Sequence, residues 1–396
     1  MDDLLAEAQH LLPDAIQLRR SIHTEPEVGL DLPLTQAKVL AGLQELPLTI
    51  RTGQRATSVV ADLRGAADAP VVLLRADMDA LPLHEDTGLE FASRHPGAMH
   101  ACGHDAHTAM LVTAARLLAR HQAELAGTVR FMFQPGEEGF GGARVMLDEG
   151  VLDSAPAAAF ALHATPRWPA GTIATRPGPV LASADAFSIV LRGRGGHASA
   201  PHLAADPVPV ACEIVLALQS FVTRTVSIFA PGVLTVANLQ AGTTHNIIPE
   251  TATLRGTVRA LAPETRAHIR EGIQRVGRGV AEAHGLAAEI DFEPGYPVTV
   301  NDPDAARLAL DVASRVLGSE RAVEQPTPQM AAEDFSFILE QVAGAMLSLG
   351  TRPRGLTERE APPGHSNRYL LDEEAMATGI AMYAGLAMEA LRQSAG

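Results

Sequence analysis

The chain has 396 residues, 46% of them hydrophobic and 19% charged, with a formal net charge of -15, enough for two hydrophobic cores but not for a nucleic-acid binder without a lysine/arginine cluster. Its one lysine, Lys38 in a helical stretch, excludes a P-loop and a pyridoxal Schiff base, which both need a lysine in the site. Two cysteines, Cys102 and Cys212, give neither a disulfide framework nor a four-cysteine zinc site, so a reducing, cytoplasmic setting is expected.

At the start, Met1-Asp2-Asp3 carries acids where a signal peptide carries bases, and no apolar run approaches the ~20 residues that span a bilayer, so no membrane partner is expected. Val71-Val72-Leu73-Leu74 reads as a buried strand and His104 to His121 as a helix. Val129 to Phe133 and Ala158 to Leu162 read as two further strands. Strand and helix in alternation predict a largely parallel sheet. After Pro177-Gly178-Pro179 the texture changes to longer alternating strands at 187–191, 233–237 and 252–258, with helices at about 206–222 and 263–284. That composition predicts a smaller α+β sandwich. Strand-helix alternation returns from about 297, with helices near 303–317 and 373–393. The expected fold is therefore α/β: a mainly parallel-sheet catalytic domain of residues 1–181 and 296–396, interrupted by an inserted α+β sandwich, a lid or dimerisation domain, at 182–295.

In open α/β sheets ligands bind beyond the carboxyl ends of the strands, and there stand Asp77, Asp79, Glu137, Glu138 and His163. In Cys102-Gly103-His104 the glycine permits a turn that aims both flanking side chains at one cation. Cys102 as a small buried hydrophobe and His104 as a helix cap is the bland alternative. Glu137 and Glu138 follow a buried strand directly. Two such carboxylates can divide labour, one binding metal and one acting as a base with a pKa raised toward neutrality; a solvated turn is the ordinary reading. His365 lies in a loop that neither helical nor strand periodicity explains. One thiolate, three imidazoles and at least one carboxylate at one sheet edge suit zinc, manganese, cobalt or nickel better than calcium or magnesium. Five or more ligands exceed one tetrahedral site, so two divalent ions, spaced at about 3.5 Å, are expected.

Arg75-Ala76-Asp77-Met78-Asp79-Ala80-Leu81-Pro82, Cys102-Gly103-His104-Asp105, Glu137-Glu138, Leu162-His163, Gly195 to His202, His245-Asn246-Ile247-Ile248-Pro249 and Ala332-Glu333-Asp334-Phe335 follow in that order. The series resembles the metal-dependent aminoacylase and carboxypeptidase G-like family. Within it the chain is similar to the amidohydrolase branch of hippurate hydrolases, N-acetyl-diaminopimelate deacetylases and plant hydrolases of indole-acetyl amino acids. The resemblance covers nearly the whole chain. It implies metal ligation by Cys102, His104, Glu138, His163 and His365, with Glu137 as general base and Asp79 as the acid supporting the centre. His107, one turn from His104, would support a ligand rather than bind metal. His197, in the inserted domain, would stabilise the oxyanion, and Asn246 and Arg259 would hold the substrate carboxylate. Two departures, alanine in Met330-Ala331-Ala332-Glu333-Asp334 where the branch often has glycine and His365-Ser366-Asn367 in place of His-Ser-Pro, bear on pocket shape.

The resemblance thus implies a metal-dependent hydrolase of N-acyl-L-amino acids, with the small N-acyl amino acid as partner and a homo-oligomer formed through the inserted domain. A dipeptidase or carboxypeptidase would use the same centre, and a catalytically idle binder of amino acid conjugates would need no unligated carboxylate beside the metal. Both remain as alternatives.

Overall fold

The strands Val71–Asp77 and Thr128–Gln134 are buried at every position, as strands must be when a sheet is covered on both faces. A computed structural model describes residues 3–395, so the acidic start at Met1 and Asp2 lies outside the described residues, as does Gly396. The chain divides into two compact units, one of Met1–Val180, Val300–Thr327 and Asp334–Gly396, the other of Leu181–Thr299 and Pro328–Glu333.

The first unit is built on an eight-stranded sheet in the order Leu48–Thr52, Val59–Arg64, Thr128–Gln134, Val71–Asp77, Ala158–Pro169, Gly344–Arg352, Ile173–Thr175 and Ala322–Glu324. Val71–Asp77 runs parallel to both its neighbours, and Ala158–Pro169 runs parallel to Gly344–Arg352. The α/β expectation holds, with the sheet mostly rather than wholly parallel. Leu48–Thr52, Val59–Arg64 and Thr128–Gln134 pair antiparallel, an antiparallel side of the sheet that the apolar runs alone do not show. Helices Leu4–His23, His104–Arg120, Pro303–Leu317 and Ala375–Ser394 pack on one another and on the strands. His104–Arg120 is alanine-rich and buried on nearly every side through Ala115, so it serves as a core element rather than a half-exposed amphipathic one.

The second unit has an antiparallel sheet in the order Gly232–Ala241, Thr251–Ala260, Ser183–Arg192 and Ala287–Pro294. Burial alternates along Ser183–Arg192, as the period of two requires of a sheet with one covered face. Helices Pro207–Thr225 and Pro263–Ala283 cover it. Pro207–Thr225 is by length and composition apolar enough to cross a bilayer, although no unbroken apolar run stands out in the sequence. Val210, Ala211, Ile214, Leu218 and Phe221 occupy its buried face within the core of this unit. Pro328–Glu333, which the sequence places with the larger domain, joins the second unit because the Ala182 N–H donates to the carbonyls of Gln329 and Ala331.

Candidate metal centre

Gly103 has φ +86, the left-handed region open to glycine, and it caps the helix that begins at His104. This turn aims Cys102 and His104 into one space. His104 Nδ1–H donates to the Asp79 carbonyl at 2.9 Å, which leaves Nε2 buried in that space and without a hydrogen-bond partner. His163 uses Nδ1–H on the Ala164 carbonyl at 2.8 Å and turns Nε2 to within 3.4 Å of Cys102 Sγ. The potential ligand atoms of Cys102, His104 and His163 all lie within 4.8 Å of one another. His163 does not end its strand, which continues to Pro169. Pairing with Val71–Asp77 stops at Ala161, however, so His163 stands beyond that neighbour's last partner.

The loop after Thr128–Gln134 carries Glu137 and Glu138. Both their backbone N–H groups donate to the Asp79 carboxylate, each at 2.9 Å. Asp79 therefore braces the glutamate loop with its side chain and His104 with its carbonyl. His365 adopts φ +66, rare for a residue with a Cβ, and its N–H donates to the Ala101 carbonyl at 2.8 Å. Its Nε2 comes to 3.1 Å from Glu138 Oε1, yet that oxygen completes no hydrogen bond. Cys102, Glu138 and His365 form a second group with ligand atoms within 4.8 Å, and His104, Glu137 and Glu138 a third. Cys102, His104, Glu137, Glu138, His163 and His365 thus come together in the first unit.

The electrostatics favour a cation. Burial pushes the Cys102 thiol up to about 12, so the thiolate needs a compensating positive charge. Burial, helped by His107, holds His163 down at about 3 and keeps its imidazole neutral. Burial would also lower His104, but Asp77 and then Cys102 raise it well above its ordinary value. Burial would raise Glu138, but His365 and His104 hold it below its ordinary value. The thiol, imidazole and carboxylate donors, with two orphaned atoms facing inward, fit divalent ions of the zinc, manganese, cobalt or nickel kind.

His107 stands behind the centre, with Nδ1–H on Asp77 at 2.5 Å and Nε2 accepting from the Ala164 N–H at 2.7 Å. With both ring nitrogens engaged, it orients its neighbours. Asp77 is held in turn by Arg75 at 2.6 Å, and Arg75 also donates to Gln134 and Asp334. Periodicity misses this network, although a charged residue inside a buried strand was a signal for it. A second buried group, Arg19 and His23 on Asp105, was also missed.

In the second unit, the short pairing of Gly196–His197 with Ile247–Ile248 sets His197 opposite Ile247, and the Ala198 N–H donates to the Asn246 carbonyl at 3.2 Å. His197 and Asn246 are both exposed. Arg259, in Thr251–Ala260, has no hydrogen bond to either of them among the described residues.

This fold and this donor cluster define a metal-dependent amide hydrolase. The description of peptidase family M20/M25/M40 matches residues 73–389, and the chain belongs to that family. It is 40% identical over 374 residues to the N-acetylcysteine deacetylase of Bacillus subtilis (strain 168), covering 94% of this chain and 96% of that one. It is 37% identical over 380 residues to thermostable carboxypeptidase 1 of Saccharolobus solfataricus, covering 94% of each. IAA-amino acid hydrolase ILR1-like 4 of Arabidopsis thaliana is 37% identical over 376 residues, covering 94% of this chain and 84% of the relative. Among solved structures, the YXEP protein of Bacillus subtilis, described as a dinuclear metal binding peptidase from the M20 family, superposes with a TM-score of 0.84 at 36% identity, covering 97% of this chain and 99% of that one.

Proposed function

We infer that this chain hydrolyses the amide of N-acyl-L-amino acids to a carboxylic acid and a free amino acid. Glu137 beside Glu138 carries the reading, both backbone N–H groups anchored on Asp79 at 2.9 Å. Relatives named for deacetylation of N-acetylcysteine and for hydrolysis of IAA-amino acids support it. Cys102, His104, Glu138, His163 and His365 would hold two divalent ions, which when bound supply Lewis acidity to a carbonyl and acidify water. Glu137 takes the proton of the attacking water and passes it to the amine nitrogen as the C–N bond breaks. Asp79 keeps the two glutamates in place for their separate tasks. His197 Nδ1 accepts from the Ser199 N–H at 3.1 Å, which puts the neutral ring's proton on Nε2, a donor suited to the tetrahedral oxyanion. Asn246 and Arg259 hold the substrate carboxylate. Burial lowers the Arg259 pKa, partly offset by Asp185, and a half-buried guanidinium gains from a carboxylate partner.

The test is turnover of N-acetyl, N-benzoyl and indole-acetyl amino acids in the presence of zinc, manganese, cobalt or nickel. Failure on all of them, or full turnover by Glu137→Gln, sinks the reading. The carboxypeptidase relative favours a second reading, cleavage of peptides by the same centre, which faster turnover of dipeptides than of acetylated amino acids would establish. The chain is further read as a cytoplasmic protein, consistent with the free thiols of Cys102 and Cys212. It is also read as a homo-oligomer formed through the second unit, where Gly232–Ala241 is an edge strand and Leu216, Ile228, Phe229 and Val233 are exposed.

A further inference from the structure

Two turns bring candidate ligands to the metal centre from distant parts of the chain. Cys102-Gly103-His104 is fixed by its own glycine and by the buried helix that follows it. The turn at His365 has neither support. His365 holds φ +66 although it carries a Cβ, its side chain is 57% exposed, and with asparagine rather than proline at 367 no ring fixes the backbone there. Such a conformation persists only where its surroundings hold it.

Part of that hold comes from Ala101, whose carbonyl accepts from the His365 N–H at 2.8 Å. The rest comes from Asp86. Its N–H donates to the Asn367 carbonyl at 2.8 Å, and its Oδ2 accepts from Arg368 Nε and Nη2 at 3.0 and 2.8 Å. Asp86 is anchored in turn by its neighbour: the Glu85 side chain is 3% exposed and accepts from His23 Nε2–H at 3.2 Å and from the Ser93 N–H at 2.7 Å. His23 Nδ1–H donates to Asp105 at 2.8 Å, and Asp105 directly follows His104. A path through Asp105, His23, Glu85, Asp86 and Arg368 thus joins the two ligand-bearing turns within the first unit. Its inner part is buried, and only its last pair, Asp86 and Arg368, at 55% and 69% exposure, faces water. Asp86 belongs to none of the donor groups found among the described residues.

We propose that Asp86 is a positioning residue for the metal centre: together with Arg368 it fixes the His365 turn against the turn of His104, so that the second of the two ions finds its ligands already in place. This rests on the reading of His365 as a ligand. Ligands held in place before binding lose less entropy on binding, so the effect falls on the ion that Glu138 and His365 would hold and spares the one between Cys102, His104 and His163.

Calorimetric titration of the metal-stripped protein with cobalt separates the two ions. The parent is expected to show two binding events and His365→Ala only one, which tests the ligand reading by itself. Asp86→Ala and Arg368→Gln are expected to weaken that same event about threefold to fivefold, the upper worth of an exposed ion pair, and to leave the other event at the parental affinity. In about 1 M salt, where the screening length falls to about 3 Å, the difference between parent and variants closes. The proposal is overturned if both variants match the parent, if the two events weaken alike, or if the difference persists unchanged in high salt. Two undiminished events in His365→Ala would instead overturn the ligand reading, and this proposal with it.

Discussion

Glu137 and Glu138 are adjacent in the chain and differ in what surrounds them. Glu138 has an oxygen 3.1 Å from His365 and 3.9 Å from His104, whereas Glu137 is buried to 6% exposure beside them. Glu137→Gln is expected to lower kcat by about 10²- to 10⁴-fold, the worth of a positioned proton carrier, with metal content unchanged. Metal analysis of the purified variant alongside the assay checks this, and loss of metal would reassign Glu137 as a ligand. The Cys102 thiol, which burial pushes up to about 12, would have to shed its proton to serve as the proposed ligand. Zinc affinity is therefore expected to weaken as pH falls from 8 to 6, by about tenfold per pH unit for each proton released. Calorimetry in buffers of different ionisation enthalpy counts those protons, and Cys102→Ser should remove one of them.

At the scale of elements, the start of His104–Arg120 bears two demands, a left-handed turn and a close approach. A Cβ at Gly103 would stand 3.1 Å from Ala164 Cβ and from the Tyr369 hydroxyl oxygen, at φ +86. Gly103→Ala is expected to cost about 1–2 kcal/mol and to weaken metal binding, as thermal unfolding with and without chelator would record. The same helix is tied to Leu4–His23 by Arg19 and His23 on Asp105, at 3.0 and 2.8 Å. Burial alone would lower His23, but Asp105 and Glu85 raise it from 6.5 to about 9. Because the folded value lies above the unfolded one, protonated His23 favours folding. That stability is complete below pH 6.5 and is lost as pH rises through 9, with a ceiling of about 3 kcal/mol. Melting temperatures of metal-stripped protein should fall between pH 7 and 10, and His23→Gln should flatten that slope; parallel profiles would refute it.

For the whole molecule, the proposed ligation would tie residues from distant parts of the chain, Cys102 to His365, into one unit. Chelation is expected to lower the melting temperature in proportion to metal affinity, because an ion that binds only the folded chain stabilises it by mass action. The edge strand Gly232–Ala241 presents unpaired backbone groups, and Phe229 is 91% exposed. Such a surface suits the association proposed above. Light scattering coupled to size exclusion should give an oligomer, with Phe229→Ser shifting it toward monomer; a monomeric parent would end that reading.

Local pattern determined the elements and the chemistry of this protein. Burial on both faces demands continuous apolar runs, so Val71–Asp77 and Thr128–Gln134 stand out in the sequence. Residues that follow such strands fall at one edge, so Asp79, Glu137 and Glu138 can be picked out, and Cys102-Gly103-His104 carries its turn in its own glycine. Only the tertiary structure decided which polar groups face one another. Arg75 reaches Asp334 across 259 residues of chain, and no spacing rule extends that far. Likewise, His107 lies one helical turn from His104 and has the same side chain, yet both of its nitrogens are spent on Asp77 and Ala164 while His104 keeps one pointed inward. Periodicity specifies which face a residue lies on; the partner across that face comes from the rest of the fold.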